Sequence, residues 1–130
     1  MMARKNKAWW ALPFSALLTL NAYADEAITL KLKNQLAACV KISKPTMYSK
    51  DGILFAKISY VRSAPITACG CKSAVSDYVA LSGKKKRNAF LMNGDLLFDK
   101  AGTMNLPLTL DQTLIVEKTI KLNFICGDSS

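Results

Sequence analysis

Apolar and polar positions alternate with a period of two over much of this chain. Ile28-Thr29-Leu30-Lys31-Leu32-Lys33 does so near one end, and Thr119-Ile120-Lys121-Leu122-Asn123-Phe124 near the other. Successive side chains of a strand point to opposite faces, so each run reads as a strand with one buried and one wet face. Residues 53–61 form a longer β-rich run with Leu54, Ala56, Ile58 and Tyr60 on one side. Asn105-Leu106-Pro107-Leu108-Thr109-Leu110 alternates too. Its Pro107 has no N–H for a ladder and predicts an edge strand. Residues 36–42, 75–81 and 89–92 bring the expectation to seven or eight strands.

Turn chemistry separates these runs. Asp51-Gly52 precedes one strand, and Asp99-Lys100-Ala101-Gly102 supplies a further turn. Asn93-Gly94 predicts a tight hairpin joining Phe90-Leu91-Met92 to Leu96-Leu97-Phe98, because both residues tolerate positive φ. No helical stripe with caps is present. Short strands at this spacing predict an all-β fold: a small antiparallel sandwich, immunoglobulin-like in the first instance, with a small β-barrel as the alternative. No internal repeat or linker interrupts the pattern.

The first two dozen residues depart from it. Arg4, Lys5 and Lys7 precede an apolar run over residues 9–20, and Ala22-Tyr23-Ala24 supplies a small-x-small site. This predicts a cleavable secretory signal peptide over residues 1–24 and a single disulfide-linked β domain over 25–130. The apolar run is too short to span a bilayer, and no transmembrane segment is expected. Leu36-Ala37-Ala38-Cys39 matches a lipobox by pattern only. Asp25, Glu26, Lys31 and Lys33 separate it from the apolar run, so lipidation at Cys39 is rejected.

The full chain has 130 residues, 18 Lys+Arg, 9 Asp+Glu, four cysteines and no histidine. Cleavage removes 24 residues, three of them basic and none acidic, which leaves 106 residues with a net charge of +6. A domain this small is marginal without staples. An even number of cysteines in an exported chain reads as two disulfides in an oxidising compartment, here the periplasm. Cys69 and Cys71 are expected to bond Cys39 and Cys126, in an order the sequence leaves open. A bond within Cys-x-Cys would close a strained ring. The competing reading of Cys69-Gly70-Cys71 is a thiol-redox pair or a Cu(I) site completed by Met92 and Met104.

The absence of histidine removes the commonest general base and imidazole ligand. The carboxylates stand in turn-like positions with no acid–base pairing. Ser82-Gly83-Lys84-Lys85 matches an S-x-x-K string, but partner motifs and a larger domain are missing. The expectation is therefore a non-enzyme with no cofactor and no metal. Lys84, Lys85, Lys86 and Arg87 are four consecutive cations beside a glycine. They read as a loop tip, either merely solvated or poised to contact an anionic protein or envelope component. Nucleic acid is not expected, since no aromatic stripe accompanies the run.

Around Ala68-Cys69-Gly70-Cys71-Lys72-Ser73-Ala74 and the terminal Asn123-Phe124-Ile125-Cys126, the chain resembles a family of small exported bacterial proteins classed only as a domain of unknown function. That resemblance implies a periplasmic β-rich fold and transfers no activity. Size and disulfides are broadly similar to periplasmic lysozyme inhibitors and immunity proteins, whose motifs cannot be placed here. The expected function is a non-catalytic, monomeric periplasmic binding module, inhibitor or immunity-type. The alternatives are thiol or Cu(I) handling and a structural subunit of an envelope assembly, which needs an open sheet edge.

Overall fold

A computed structural model describes residues 27–127 of the chain. The expected signal peptide, residues 1–24, lies outside the described residues. Eight strands follow one another: β1 (Thr29–Asn34), β2 (Val40–Ile42), β3 (Thr46–Lys50), β4 (Ile53–Arg62), β5 (Val75–Ser82), β6 (Ala89–Leu97), β7 (Ala101–Thr109) and β8 (Thr119–Cys126). Short 3-10 turns at Ile66–Cys69 and Gln112–Leu114 interrupt the longer connections. One sheet has the order β1-β8-β5-β6. In the other, β2 and β3 share one edge of β4, and β7 pairs with its opposite edge. The two sheets are not closed into a barrel, and the fold is the expected all-β sandwich.

The period-two pattern decides which faces meet. Leu54, Ala56, Ile58 and Tyr60 of β4 are all buried, as are Ile120, Leu122 and Phe124 of β8. Tyr78 and Ala80 of β5 complete the inner face of the first sheet. Burying Leu- or Phe-sized side chains in this way contributes about 1.5–3 kcal/mol each. Phe98, on the β6–β7 connection, lies between the sheets with its ring centroid 4.9 Å from Tyr60 and 6.3 Å from Phe124. The Tyr78 hydroxyl crosses the core and donates to the Pro107 carbonyl at 2.7 Å. Burial pushes the Tyr78 phenol up to about 12, because the charged form would lose its hydration.

The expected antiparallel arrangement needs correction at one ladder: the two terminal runs pair with each other in parallel, Thr29 opposite Thr119 through Asn34 opposite Phe124. Every other ladder is antiparallel. Pro107 lies on an edge strand as expected, since β7 pairs only with β4. An irregularity between Leu54 and Phe55 leaves Leu108 as an extra residue on β7, so that Leu108 and Thr109 are both buried.

Three local expectations need correction. Asn93-Gly94 is not a turn: both residues lie inside β6, with Val79 opposite Asn93 and Tyr78 opposite Gly94, and neither has positive φ. The glycine serves packing instead, because a Cβ there would come within 2.8 Å of the Tyr78 ring. Residues 36–42 are a strand only from Val40. Before it the chain makes a tight turn, with the Cys39 and Val40 amides donating to the Leu36 carbonyl at 2.8 and 2.9 Å. Asn34 organises that turn, accepting from the Leu36 amide and donating to the Val40 carbonyl. Of Asp99-Lys100-Ala101-Gly102, the last two residues already belong to β7. Asp51-Gly52 is a turn as expected, with φ of 53° and 82°, and with Lys50 paired to Ile53 it closes a hairpin onto β3, a strand outside the expected set.

Candidate functional site

The four cations occupy the loop that joins β5 to β6, and all four are exposed. Gly83 starts the loop at φ 118°, and a Cβ there would stand 2.6 Å from the Arg87 Cβ. Only glycine lets the chain fold back so closely. Lys85 takes a left-handed φ of 53°, and the Arg87 amide donates to the Lys84 carbonyl at 2.9 Å, which closes a turn. The Lys84 amide donates to Glu117 Oε1 at 2.8 Å.

Lys121, on the outward face of β8, holds the loop from beneath. Its Nζ donates to the Lys85 carbonyl (2.9 Å), the Arg87 carbonyl (2.8 Å) and Asn88 Oδ1 (2.8 Å). An ammonium has three donors, and here each finds an acceptor. The backbone of the cationic loop is thus pinned by another cation, while its four charged side chains project into solvent. Strand register places Lys31 beside Lys121 on the same outward face. Nothing in the four-residue run pointed to Lys121 as its support. The only sequence signal was that Lys121 falls on the wet side of an alternating strand.

Ser82 is fully buried at the end of β5. Its hydroxyl donates to the Thr119 carbonyl at 2.8 Å and accepts from the Val116 amide at 2.6 Å. The S-x-x-K string therefore places its serine in a structural lock between β5 and the approach to β8, away from any helix start.

The cysteines lie at the opposite end of the sandwich. Cys39 pairs with Cys69, and Cys71 with Cys126. This resolves the order that the sequence left open. Gly70 ends the Ile66–Cys69 turn at φ 91°, a left-handed conformation that reverses the chain between the two cysteines. Cys69 thereby meets Cys39 beside β2, and Cys71 meets the end of β8, so one short segment is tied to both sheets. No described cysteine is free. The thiolates that a redox pair or Cu(I) site would need are absent in this state. Met92 and Met104 lie on strands of different sheets, and Met104 packs against the core. Among the described residues, no group of three or more His, Cys, Asp or Glu side chains is arranged to hold a metal ion. No helix among them is long and apolar enough to cross a membrane.

Fold and site together define a small all-β sandwich stapled by two disulfides at one end and presenting a pinned cationic loop at the other. The disulfides point to an oxidising, exported environment. The chain belongs to the DUF2195 family, described as uncharacterized proteins conserved in bacteria, whose profile matches residues 12–129. No curated protein and no solved structure matches the chain.

Proposed function

We propose that this protein is a non-catalytic periplasmic binding module that meets an anionic partner with the β5–β6 loop, an inhibitor or immunity-type module being the kind of protein this describes. One observation carries the reading. Lys84, Lys85, Lys86 and Arg87 are all exposed on a loop whose backbone is fixed by Lys121 and Glu117. Four like charges in sequence repel one another, so they add nothing evident to folding. Held in place, they lose little conformational freedom at the backbone when an anion docks. Their effect falls mainly on association rate, and salt screens it over about 8 Å at physiological strength.

Residues 1–24 act as the cleavable signal in this reading, and the exported protein should begin at Asp25 on N-terminal sequencing. Retention on heparin as a function of salt tests the loop. Replacing Lys84, Lys85, Lys86 and Arg87 with Ser should leave the melting temperature within about 1 °C, since exposed substitutions are usually near neutral. It should also release the protein at clearly lower salt. Equal retention of both proteins makes the run a solvated turn and nothing more.

An envelope-assembly subunit is the second reading. It is favoured by the outer edge of β6, whose only strand partner among the described residues is β5, with Phe90 and Leu97 exposed on it. Self-association seen by size-exclusion chromatography, and abolished by a proline in β6, would favour it over the monomeric module.

A further inference from the structure

Six large apolar side chains are substantially exposed among the described residues, and three of them share an end with the cationic loop. Phe90, 59% exposed, is the second residue of β6, directly after the loop. Leu110, 63% exposed, follows β7, and Leu114, 52% exposed, closes the Gln112–Leu114 turn. That turn leads into residues 115–119, which touch the loop through several hydrogen bonds. Gly83 donates to the Thr119 carbonyl at 3.0 Å, Val116 donates to Ser82 Oγ, and Lys84 donates to Glu117. Two neighbouring loops thus present leucines and cations together.

The charge balance of this end is positive. Asp111, beside Leu110, keeps its negative charge, which the neutral Thr113 amide and hydroxyl stabilise. Glu117, held by the neutral Lys84 amide, and Asp51, in the turn beside the Leu54–Thr109 pair, are negative too, so three carboxylates are set against Lys84, Lys85, Lys86, Arg87, Lys118 and Lys121. The facing pair Asp77 and Asp95 stands four residues along β5 from Leu81, which is opposite Phe90. At about 3.3 Å per residue that is roughly 13 Å, beyond the screening length of about 8 Å. The acidic row therefore leaves the cationic loop unneutralised. Leu97 shows the contrast, for it stands at the far end beyond Asp95.

We propose that this end of the sandwich docks on an anionic phospholipid bilayer, with Lys84, Lys85, Lys86 and Arg87 meeting lipid phosphates and Leu110, Leu114 and Phe90 entering the headgroup layer. The proposal rests on the anionic-partner reading and names its partner. A lipid surface offers anionic phosphates and an apolar layer side by side, so it complements cations and exposed leucines at once. A soluble polyanion offers only the first.

The test uses the exported, oxidised protein and sedimentation with vesicles of phosphatidylcholine, with or without phosphatidylglycerol. Each cation near an anionic surface is worth about fivefold in affinity. Four such cations should accordingly raise binding to the phosphatidylglycerol vesicles over pure phosphatidylcholine by about 600-fold. Leu110→Ser with Leu114→Ser should weaken it about tenfold or more at unchanged melting temperature. The only tryptophans are Trp9 and Trp10, within residues 1–24, so Leu114→Trp adds a single reporter to the exported chain. Its emission should shift to the blue on anionic vesicles. Absent vesicle binding, or binding indifferent to the leucine pair together with an unshifted reporter, overturns the bilayer as partner. The heparin experiment separates the two ideas: retention that still depends on the four cations keeps an anionic partner and rejects only the lipid. Loss of both effects removes both.

Discussion

At one end of the sandwich, Cys39–Cys69 and Cys71–Cys126 tie the crossing segment covalently to both sheets. At the other, hydrogen bonds from Lys121, Ser82 and the Lys84 amide hold two loops together, with cations and leucines exposed. A small domain cannot bury enough surface to stiffen every part by packing alone. Covalent clamping at one end lets the opposite end carry repelling charges and exposed apolar groups, both unfavourable to folding, without unravelling the sheets. The difference teaches that covalent constraint and exposed charge are kept at opposite ends of the sandwich.

The comparison breaks most sharply under reductant. The bridges span 30 and 55 residues in sequence. Constraint of the unfolded chain assigns them about 3.6 and about 4.2 kcal/mol. Together these are comparable to the whole stability of a domain of this size. Reduction should therefore largely unfold the protein, and Cys71→Ser with Cys126→Ser should lower the melting temperature more than Cys39→Ser with Cys69→Ser. Unchanged melting in reductant would show that packing alone holds the clamped end.

A smaller effect tests the core between the ends. Gly94→Ala drives a methyl against the Tyr78 ring, which its hydrogen bond to Pro107 holds in place. Overpacking of this kind costs about 1–3 kcal/mol, read as a lower melting temperature. An unaltered value would mean that the ring swings aside freely.

Alkaline titration probes the same tyrosine. Its folded pKa is raised to about 12 from an ordinary value near 10. Below pH 10 both states hold the proton and the stability is fully present. Between pH 10 and 12 the unfolded state sheds its proton first, so stability falls as pH rises. The expected loss is roughly 2 kcal/mol, and Tyr78→Phe should flatten that segment of the curve. Across pH 6 to 8, with no histidine in the chain, melting should stay level.

The smallest global effect should come from the loop end. Lys121→Met removes three contacts to the loop at a cost of about 0.5–1 kcal/mol. Amide exchange at Arg87 and Asn88 should nevertheless quicken markedly, while exchange in β5 and β8 stays slow. Equal exchange in both proteins would show that Gly83 and the turn at Arg87 suffice to hold the loop.

Much of this was legible from the residues alone. A period of two needs no partner to be read, since it states which side of a strand avoids water. Thus Leu54, Ala56, Ile58 and Tyr60, and Ile120, Leu122 and Phe124, could be assigned to the core before any sheet was known. The placement of Asp51-Gly52 and the edge position of Pro107 also follow from backbone rules that act locally. The cationic loop was visible as a run, because charge and a neighbouring glycine are local facts.

What the tertiary structure decided was every relation between distant residues. Asn93-Gly94 carries a strong turn signal, yet the ladder with β5 keeps that segment extended, and the Tyr78 ring fills the space a Cβ at Gly94 would need. Cys69 and Cys71 are separated by a single residue, so only the left-handed turn at Gly70 and the places of β2 and β8 could sort their partners. The parallel pairing of β1 with β8 brings Lys31 beside Lys121, and the fold sets Lys121 under the loop at Lys85 and Arg87. Local propensity acts over a few residues along the chain, whereas pairing, bridging and burial join residues far apart in sequence, and only the folded chain brings them together.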